Sequence, residues 1–181
     1  MGICSLNITI LYESLCPDSV DFFMEQLQPA WSSLAPYTNF TYVPFGKAYS
    51  IKNGKRFICQ HGANECAGNK MQSCVLHLLR GQPFRQFTFI ICQMNGISPV
   101  DGSACFKKVN LNEWKVRQCE NSDIGNSLQL LAENITHRFN PEFIPTILFN
   151  DLYFRSFQNM ALMDFKHAAC KFFPPGHVAC I

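Results

Sequence analysis

The distribution of cysteine constrains this chain more than any other feature of its sequence. Ten cysteines occur in 181 residues, and six of them fall between residues 59 and 119. Three Asn-x-Ser/Thr sequons accompany them, at Asn7, Asn39 and Asn134. Charged residues make up only 15% of the chain, against roughly 25% in an average soluble domain. Although the sequence opens without a signal peptide, these features together favour a disulfide-bonded protein of an oxidising compartment.

A metal site is the alternative interpretation of the cysteine-rich segment. Cys59, Cys66 and Cys74 are accompanied by His61 and His77. Six and seven residues separate the consecutive cysteines, whereas structural zinc sites commonly place roughly two to four between paired cysteines. We therefore expect disulfides and no bound metal, and we expect His61 to form structural hydrogen bonds.

Charge and hydropathy exclude two classes of partner. Lys and Arg number 15 and Asp and Glu 13, which gives a net charge of +2 without a basic run. A nucleic-acid-binding protein would normally show a clear basic excess. The nearest approach to a long apolar run, residues 87–92, has six residues, and a membrane span needs about 18. We expect neither a nucleic-acid partner nor a membrane span.

Strand and helix patterns occur at the two ends of the chain. Alternating apolar residues predict a strand over 6–12, Pro17 opens a short helix that should stop near Gln28, and a second strand follows over 39–44. This order predicts a right-handed parallel crossover. From residue 122 onward the patterns predict a helix, a β-hairpin of strands 146–149 and 152–157, and a last helix over 160–172.

That order of elements is typical of a thioredoxin-like α/β domain, and we expect residues 1–181 to form one such domain. Residues from about 46 to 122 interrupt it with helical patterns, among them a helix over 70–80 with Asn69 as its N-cap. We therefore expect a helical, cysteine-rich insertion at about 46–122. A small helical lipid-binding protein would account for this segment but not for the strands at both ends.

Cys16 is the first candidate for a reactive group, because it lies between a predicted strand and a predicted helix. Free N–H groups and the helix dipole at a helix N-terminus stabilise a thiolate, which is the form that attacks disulfides. An ordinary disulfide partner is the competing interpretation. Pro145 is the second candidate, since thioredoxin-like domains place a cis-proline opposite the reactive cysteine. A plain proline at the start of a strand is its alternative.

The most specific motif of the chain reads Cys-Gln-His-Gly-Ala-Asn-Glu-Cys-Ala-Gly-Asn over residues 59–69, with Cys74 beyond it. It resembles the signature of the gamma-interferon-inducible lysosomal thiol reductase family. The resemblance extends over nearly the whole chain, through Tyr12-Glu13-x-x-Cys16, Pro44-x-Gly46 and Ile144-Pro145. It implies a glycosylated, thioredoxin-like reductase of protein disulfides in an endosomal, lysosomal or secretory compartment. It also implies disulfide-bonded or unfolded protein substrates and no cofactor beyond an external small-molecule thiol.

One position departs from the family pattern. Typical members carry Cys-x-x-Cys, and Cys16 matches the first cysteine, but the second position is Ser19. A serine hydroxyl cannot carry out disulfide exchange, although it can donate a hydrogen bond to the Cys16 thiolate. The sequence therefore predicts a monothiol mechanism with Cys16, Ser19 and Pro145 at the site. The alternative is a redox-inert member that binds unfolded or disulfide-bonded proteins without turnover.

The remaining cysteines match the family's disulfide framework, apart from Cys4, which matches nothing. Eight cysteines allow 105 pairings, and Cys105–Cys119 is the local pair that we expect. The eight are Cys59, Cys66, Cys74, Cys92, Cys105, Cys119, Cys170 and Cys180. We also expect sugar at Asn39 and Asn134, and at Asn7 despite its place in a strand, because glycans would supply surface polarity that the low charge does not.

Overall fold

The computed structural model describes residues 5–96 and 100–181, and a three-stranded sheet lies at its centre. Strand β1 (Leu6–Tyr12) occupies the middle position, where it pairs in parallel with β2 (Thr38–Pro44) and antiparallel with β5 (Thr146–Phe149). Every residue of β1 except Asn7 is buried. Such a strand is covered on both faces, as in the α/β fold that the sequence predicts.

The crossover from β1 to β2 is one continuous helical path. It consists of α1 (Pro17–Asp21), a π-helical segment (Phe22–Leu27) and α2 (Gln28–Leu34). The prediction that the helix stops near Gln28 is wrong. Pro29 lies in the first turn of α2, directly after the π-helical turns. Its missing N–H therefore falls where the hydrogen-bond register changes, so that the proline does not end the helix.

The middle of the chain contains a small sheet as well as the expected helices. Strands β3 (Tyr49–Ile51) and β4 (Arg56–Ile58) form an antiparallel hairpin. The helices that follow are α3 (Ala63–Leu78), α4 (Pro83–Met94), α5 (Ser103–Lys108) and α6 (Glu113–Glu120). Asn69 is not the N-cap predicted for a helix over 70–80, because α3 already begins at Ala63 and Asn69 is buried inside it.

The last part of the chain differs from the predicted helix, hairpin and helix. Helix α7 (Asp123–Phe139) precedes β5, and α8 (Arg155–Met163) and α9 (Phe165–Cys170) follow it. The predicted returning strand over 152–157 is wrong, since only an isolated bridge joins Phe149 and Leu152. The side chain of the buried Gln158 in α8 makes hydrogen bonds to the backbone at β5, where the returning strand would have paired. Its side chain accepts from the Ile147 N–H at 2.8 Å and donates to the Pro145 carbonyl at 3.0 Å.

Four disulfides connect these elements. They join Cys59 to Cys66, Cys74 to Cys119, Cys92 to Cys105 and Cys170 to Cys180. The expected Cys105–Cys119 pair is wrong, because each of these cysteines faces a longer helix, Cys105 facing α4 and Cys119 facing α3. Cys4 lies outside the described residues. No helix in the described ranges combines the length and the apolar character needed to cross a membrane.

Candidate active site

Cys16 is the free cysteine of the described residues, and it is buried with 7% of its surface exposed. It occupies the N-cap position of α1, with extended backbone angles, and its carbonyl accepts the first helical hydrogen bond from Val20 at 3.0 Å. The sulfur therefore lies beside the unpaired N–H groups that begin a helical path reaching Leu34. Helix N-termini are positions at which reactive cysteines of other proteins occur.

The segment before β5 faces the sulfur. The Ile144–Pro145 peptide bond is cis, which is the geometry that the resemblance implies. The Cys16 thiol points to the carbonyl oxygen of Ile144, with the sulfur 3.8 Å from that oxygen. A groove of about 200 Å³ adjoins this contact, between Asp18, Asp21 and Phe22 on one side and the 143–145 segment on the other. Ile144 belongs both to this groove and to the contact with Cys16.

Ser19 lies one helical turn beyond Cys16 and is completely buried. Its hydroxyl oxygen accepts a long hydrogen bond of 3.4 Å from the backbone N–H of Glu13. The hydroxyl therefore links the start of α1 to the loop that leaves β1. Its predicted donation to a Cys16 thiolate stays a prediction.

A histidine and two carboxylates also surround the cysteine. The Nδ1 atom of His61 lies 2.6 Å from Glu65 Oε2 and 3.3 Å from Glu13 Oε2, and both carboxylate side chains are fully buried. One donor atom each from Glu13, Cys16 and His61 lies within 4.8 Å of the other two. Such closeness would also admit a metal ion, but Nδ1 is already engaged by two carboxylates. The thiol, the imidazole and the two carboxyl groups therefore form one cluster of titratable side chains.

Helix α3 holds this cluster in place. Glu65 lies in its first turn, where the helix dipole favours a negative charge. Its Oε1 accepts from the backbone N–H of His61 at 3.0 Å while its Oε2 contacts the ring. The Cys59–Cys66 disulfide closes the same loop. The imidazole is thus fixed by its backbone, its ring and a covalent bridge.

Asn69 connects the signature segment to the nucleophile. Its side-chain oxygen accepts from the backbone N–H of Ser14 at 2.9 Å, and the Ser14 hydroxyl donates to the Glu65 carbonyl at 3.1 Å. Gln129 of α7 in turn donates to the Asn69 carbonyl at 3.2 Å. The loop from β1 to Cys16 is therefore held against α3 by buried hydrogen bonds. The sequence motif identified these residues, but their contacts required the fold.

Glu13 has an unusual environment. Its Oε1 accepts from the Lys47 N–H at 2.7 Å. Burial raises the pKa of Glu13 above its usual value of 4.5, and the nearby Glu65 carboxylate adds to the rise, while the Lys47 hydrogen bond and the His61 ring oppose it. Gly46 permits this approach, because it has a φ of +62° and a Cβ there would overlap the Glu13 side chain.

The asparagines of the three sequons are exposed in the structure. Asn7 and Asn39 are register partners on β1 and β2, and Asn39 Nδ2 donates to Asn7 Oδ1 at 3.0 Å. Asn134 lies separately on the outer face of α7. Glycosylation at these positions stays a prediction, and the first two asparagines would place their sugars side by side.

Comparison with known proteins identifies the family. The model of the gamma interferon inducible lysosomal thiol reductase (GILT) family matches residues 7–109. The chain belongs to the GILT family. A GILT-like protein of Anopheles gambiae is 30% identical over 99% of this chain and 82% of its own length. GILT-like protein 1 of Drosophila melanogaster is 32% identical over 91% of this chain and 74% of its own length.

Solved structures place this GILT family member in the thioredoxin-like fold of bacterial Dsb proteins. BdbD of Bacillus subtilis superposes with a TM-score of 0.63 over 93% of this chain and 87% of its own, at 13% identity. DsbA of Xylella fastidiosa gives a TM-score of 0.60 over 94% and 88%, at 14% identity. Family and fold together support a thiol reductase.

Proposed function

We propose that this GILT family member reduces disulfides of protein substrates by a monothiol mechanism centred on Cys16. The observation that carries the proposal is the free thiol of Cys16, at the N-cap position of α1, against the cis Ile144–Pro145 segment. The adjoining groove is open to an extended peptide, and Pro145 forms part of its wall. The substrates are disulfide-bonded or partly unfolded proteins of an endosomal, lysosomal or secretory compartment.

The first step is attack of the Cys16 thiolate on one sulfur of the substrate disulfide. A mixed disulfide forms, and the second substrate sulfur leaves as a thiolate that takes up a proton. In a dithiol enzyme the second cysteine would then displace the substrate. Ser19 cannot do so, because its oxygen does not form a disulfide bond with Cys16.

The second step therefore uses small-molecule thiols. One thiol attacks the Cys16 sulfur and frees the substrate as its second thiol. Another thiol then attacks the new mixed disulfide, regenerates Cys16 and leaves as the oxidised small molecule. Two electrons pass from two external thiols to one protein disulfide.

In an acidic compartment, ionisation of the Cys16 thiol is the difficult step of the reaction. An unperturbed thiol at pH 5 is thiolate in about one part in three thousand. The helix N-terminus supplies part of the necessary stabilisation, as it does for reactive cysteines in general. Ser19 adds to it if its hydroxyl donates to the thiolate.

The test is a disulfide-reduction assay at acidic and neutral pH with free cysteine as reductant. We compare wild type with Cys16→Ser and Ser19→Cys, and trap mixed disulfides by acid quenching and mass spectrometry. Wild type should depend steeply on the cysteine concentration and accumulate a Cys16 adduct. Ser19→Cys should turn over faster with less adduct, because the resolving step becomes internal. Cys16→Ser should lose both activity and adduct while keeping its fold.

The competing function is binding of unfolded proteins without turnover, which the serine at position 19 favours. It would be supported by a wild type that captures reduced, unfolded protein but never forms a Cys16 mixed disulfide. If Ser19→Cys also gains no activity, the binding function replaces the reductase proposal.

A further inference from the structure

We infer that His61 is the acid–base residue of the monothiol cycle, with Glu65 and Glu13 as its positioning carboxylates. This inference rests on the proposed reductase function, and it names the residue that transfers protons in that reaction. A dithiol site has a second cysteine beside the first, whereas position 19 here is a buried serine that is occupied with the Glu13 backbone. One nitrogen of the His61 ring, one carboxyl oxygen of Glu13 and the Cys16 sulfur lie within 4.8 Å of one another.

The contacts of the imidazole determine which of its two nitrogens can exchange a proton. Nδ1 is 2.6 Å from one carboxylate and 3.3 Å from the other, so it carries a proton in either charge state of the ring. Nε2 is therefore the nitrogen that can gain or lose a proton. The His61 side chain is about one third exposed, which leaves the ring accessible to a small thiol from solvent.

Two buried carboxyl side chains, those of Glu65 and Glu13, lie against one imidazole. This contact allows protons to be exchanged between the ring and the two carboxyl groups. An imidazolium beside Cys16 in turn favours the thiolate, as in cysteine nucleophiles that are paired with a histidine.

The proton balance of the cycle follows. At rest, His61 holds the proton that Cys16 has given up. During attack, the leaving substrate thiolate takes this proton and the ring becomes neutral. When an external thiol enters, neutral His61 accepts its proton, and the external thiolate attacks the Cys16 sulfur. The proton then goes to the substrate thiolate that departs, and a second external thiol restores the imidazolium–thiolate pair by the same exchange.

Other charged groups near the cluster are few. Besides Glu13 from the end of β1 and Glu65 from α3, Lys47 lies on the turn after β2. Its backbone N–H binds Glu13, and its ammonium donates to the Glu142 carbonyl at 2.6 Å. Asp18 is in the first turn of α1 and exposed to the groove. A change in the pH profile must therefore be compared with that of a histidine variant outside this cluster and outside the groove.

The experiment measures two quantities from pH 4.5 to 8.5, with a chelator present throughout. The first is the rate of Cys16 alkylation by iodoacetamide, and the second is turnover in the disulfide-reduction assay. The variants are His61→Ala, His61→Gln and Glu65→Gln, with His77→Ala as the matched control. His77 is an exposed histidine on the same helix as Glu65. Far-ultraviolet circular dichroism and the urea midpoint establish that each variant is folded.

We expect His61→Ala to slow alkylation at pH 5 about tenfold and turnover about a hundredfold, which is within the usual range for loss of an acid–base group. The alkylation rates of variant and wild type should approach each other toward pH 8.5, where about half of an unperturbed thiol is ionised. Free imidazole should restore part of the turnover of His61→Ala. His61→Gln can keep the contact with Glu65 but carries no exchangeable charge, so it should be equally slow. Glu65→Gln should move the acid side of both profiles to higher pH.

Profiles of both His61 variants that coincide with those of His77→Ala would overturn the inference, and so would a uniform loss at all pH values without rescue by imidazole. The proposed function fails separately. It fails if wild type never forms the Cys16 adduct, whatever the His61 variants do. It stands if the adduct forms and the His61 variants are unchanged.

Discussion

Removal of the Cys59–Cys66 disulfide should damage the site much more than it damages the fold. The bridge closes a loop with a sequence separation of 7, and loop-closure entropy alone assigns it about 2.4 kcal/mol of stability. The Cys170–Cys180 bridge has a separation of 10 and is worth about 2.7 kcal/mol by the same relation. The two double variants, each with alanine in place of both cysteines, are therefore a matched pair in stability.

Their effects on Cys16 should differ. The first bridge spans His61 and ends at Cys66, one residue beyond Glu65, whereas the second joins α9 to the last residues of the chain. Without the first bridge the loop of His61 is held by hydrogen bonds, among them those of His61 to Glu65 and of the Gly62 N–H to the Cys59 carbonyl. We expect the Cys59→Ala/Cys66→Ala variant to lose at least about tenfold in Cys16 alkylation rate at pH 5, an estimate taken from the loss of supporting contacts around a site residue.

The assay is iodoacetamide labelling of Cys16 without added thiol, followed by intact-mass analysis, alongside urea unfolding of the same samples. The Cys170→Ala/Cys180→Ala variant should show a similar loss of unfolding free energy and an unchanged labelling rate. Equal labelling rates in the two variants would refute the reasoning, because the loop around His61 would then not depend on its bridge.

Four further predictions concern stability and modification. Removing Cys74–Cys119, with a separation of 45, should cost about 4.0 kcal/mol, visible as a larger fall in the urea midpoint than for Cys170–Cys180. Because the folded pKa of Glu13 lies above 4.5, the folded state holds this proton more tightly, and wild type should lose stability relative to Glu13→Gln as pH rises from 4.5 to 7. In secreted material from a eukaryotic host, Asn134→Gln should remove one glycosidase-sensitive gel shift. Asn7→Gln should raise the occupancy of Asn39, because the two side chains are in contact.

The positions of Cys16 and Pro145 in the site could be predicted from the local sequence. A cysteine after a strand and before a proline-initiated helix needs only neighbouring residues to be recognised, and so does the proline before β5. The disulfide partners of Cys74, Cys92, Cys105 and Cys119 could not be predicted, because they depend on how α3, α4, α5 and α6 pack. The loop around His61 gave no local indication that its ring would reach Cys16, 45 positions earlier in the chain.

The errors in the fold have a common physical cause. The pattern over 152–157 allows a strand, and a strand would satisfy the free edge of β5. Gln158 satisfies that edge from a helix instead, through its hydrogen bonds to Ile147 and Pro145. The segment before Pro29 likewise allows a helix stop, but the π-helical turns carry the chain past it. In both places a tertiary arrangement supplies what the local pattern lacks.

The buried charges around Cys16 bear on the choice between a reductase and an inert binder. Burial raises the pKa of Glu13, while the His61 ring and Lys47 oppose that rise. His61 contacts both carboxyl groups, and one atom each of His61, Glu13 and Cys16 lies within 4.8 Å of the other two. A protein that only bound unfolded chains would be served by neutral, hydrogen-bonded side chains at these positions. The arrangement instead places titratable groups beside a free thiol, which the proposed exchange mechanism can use.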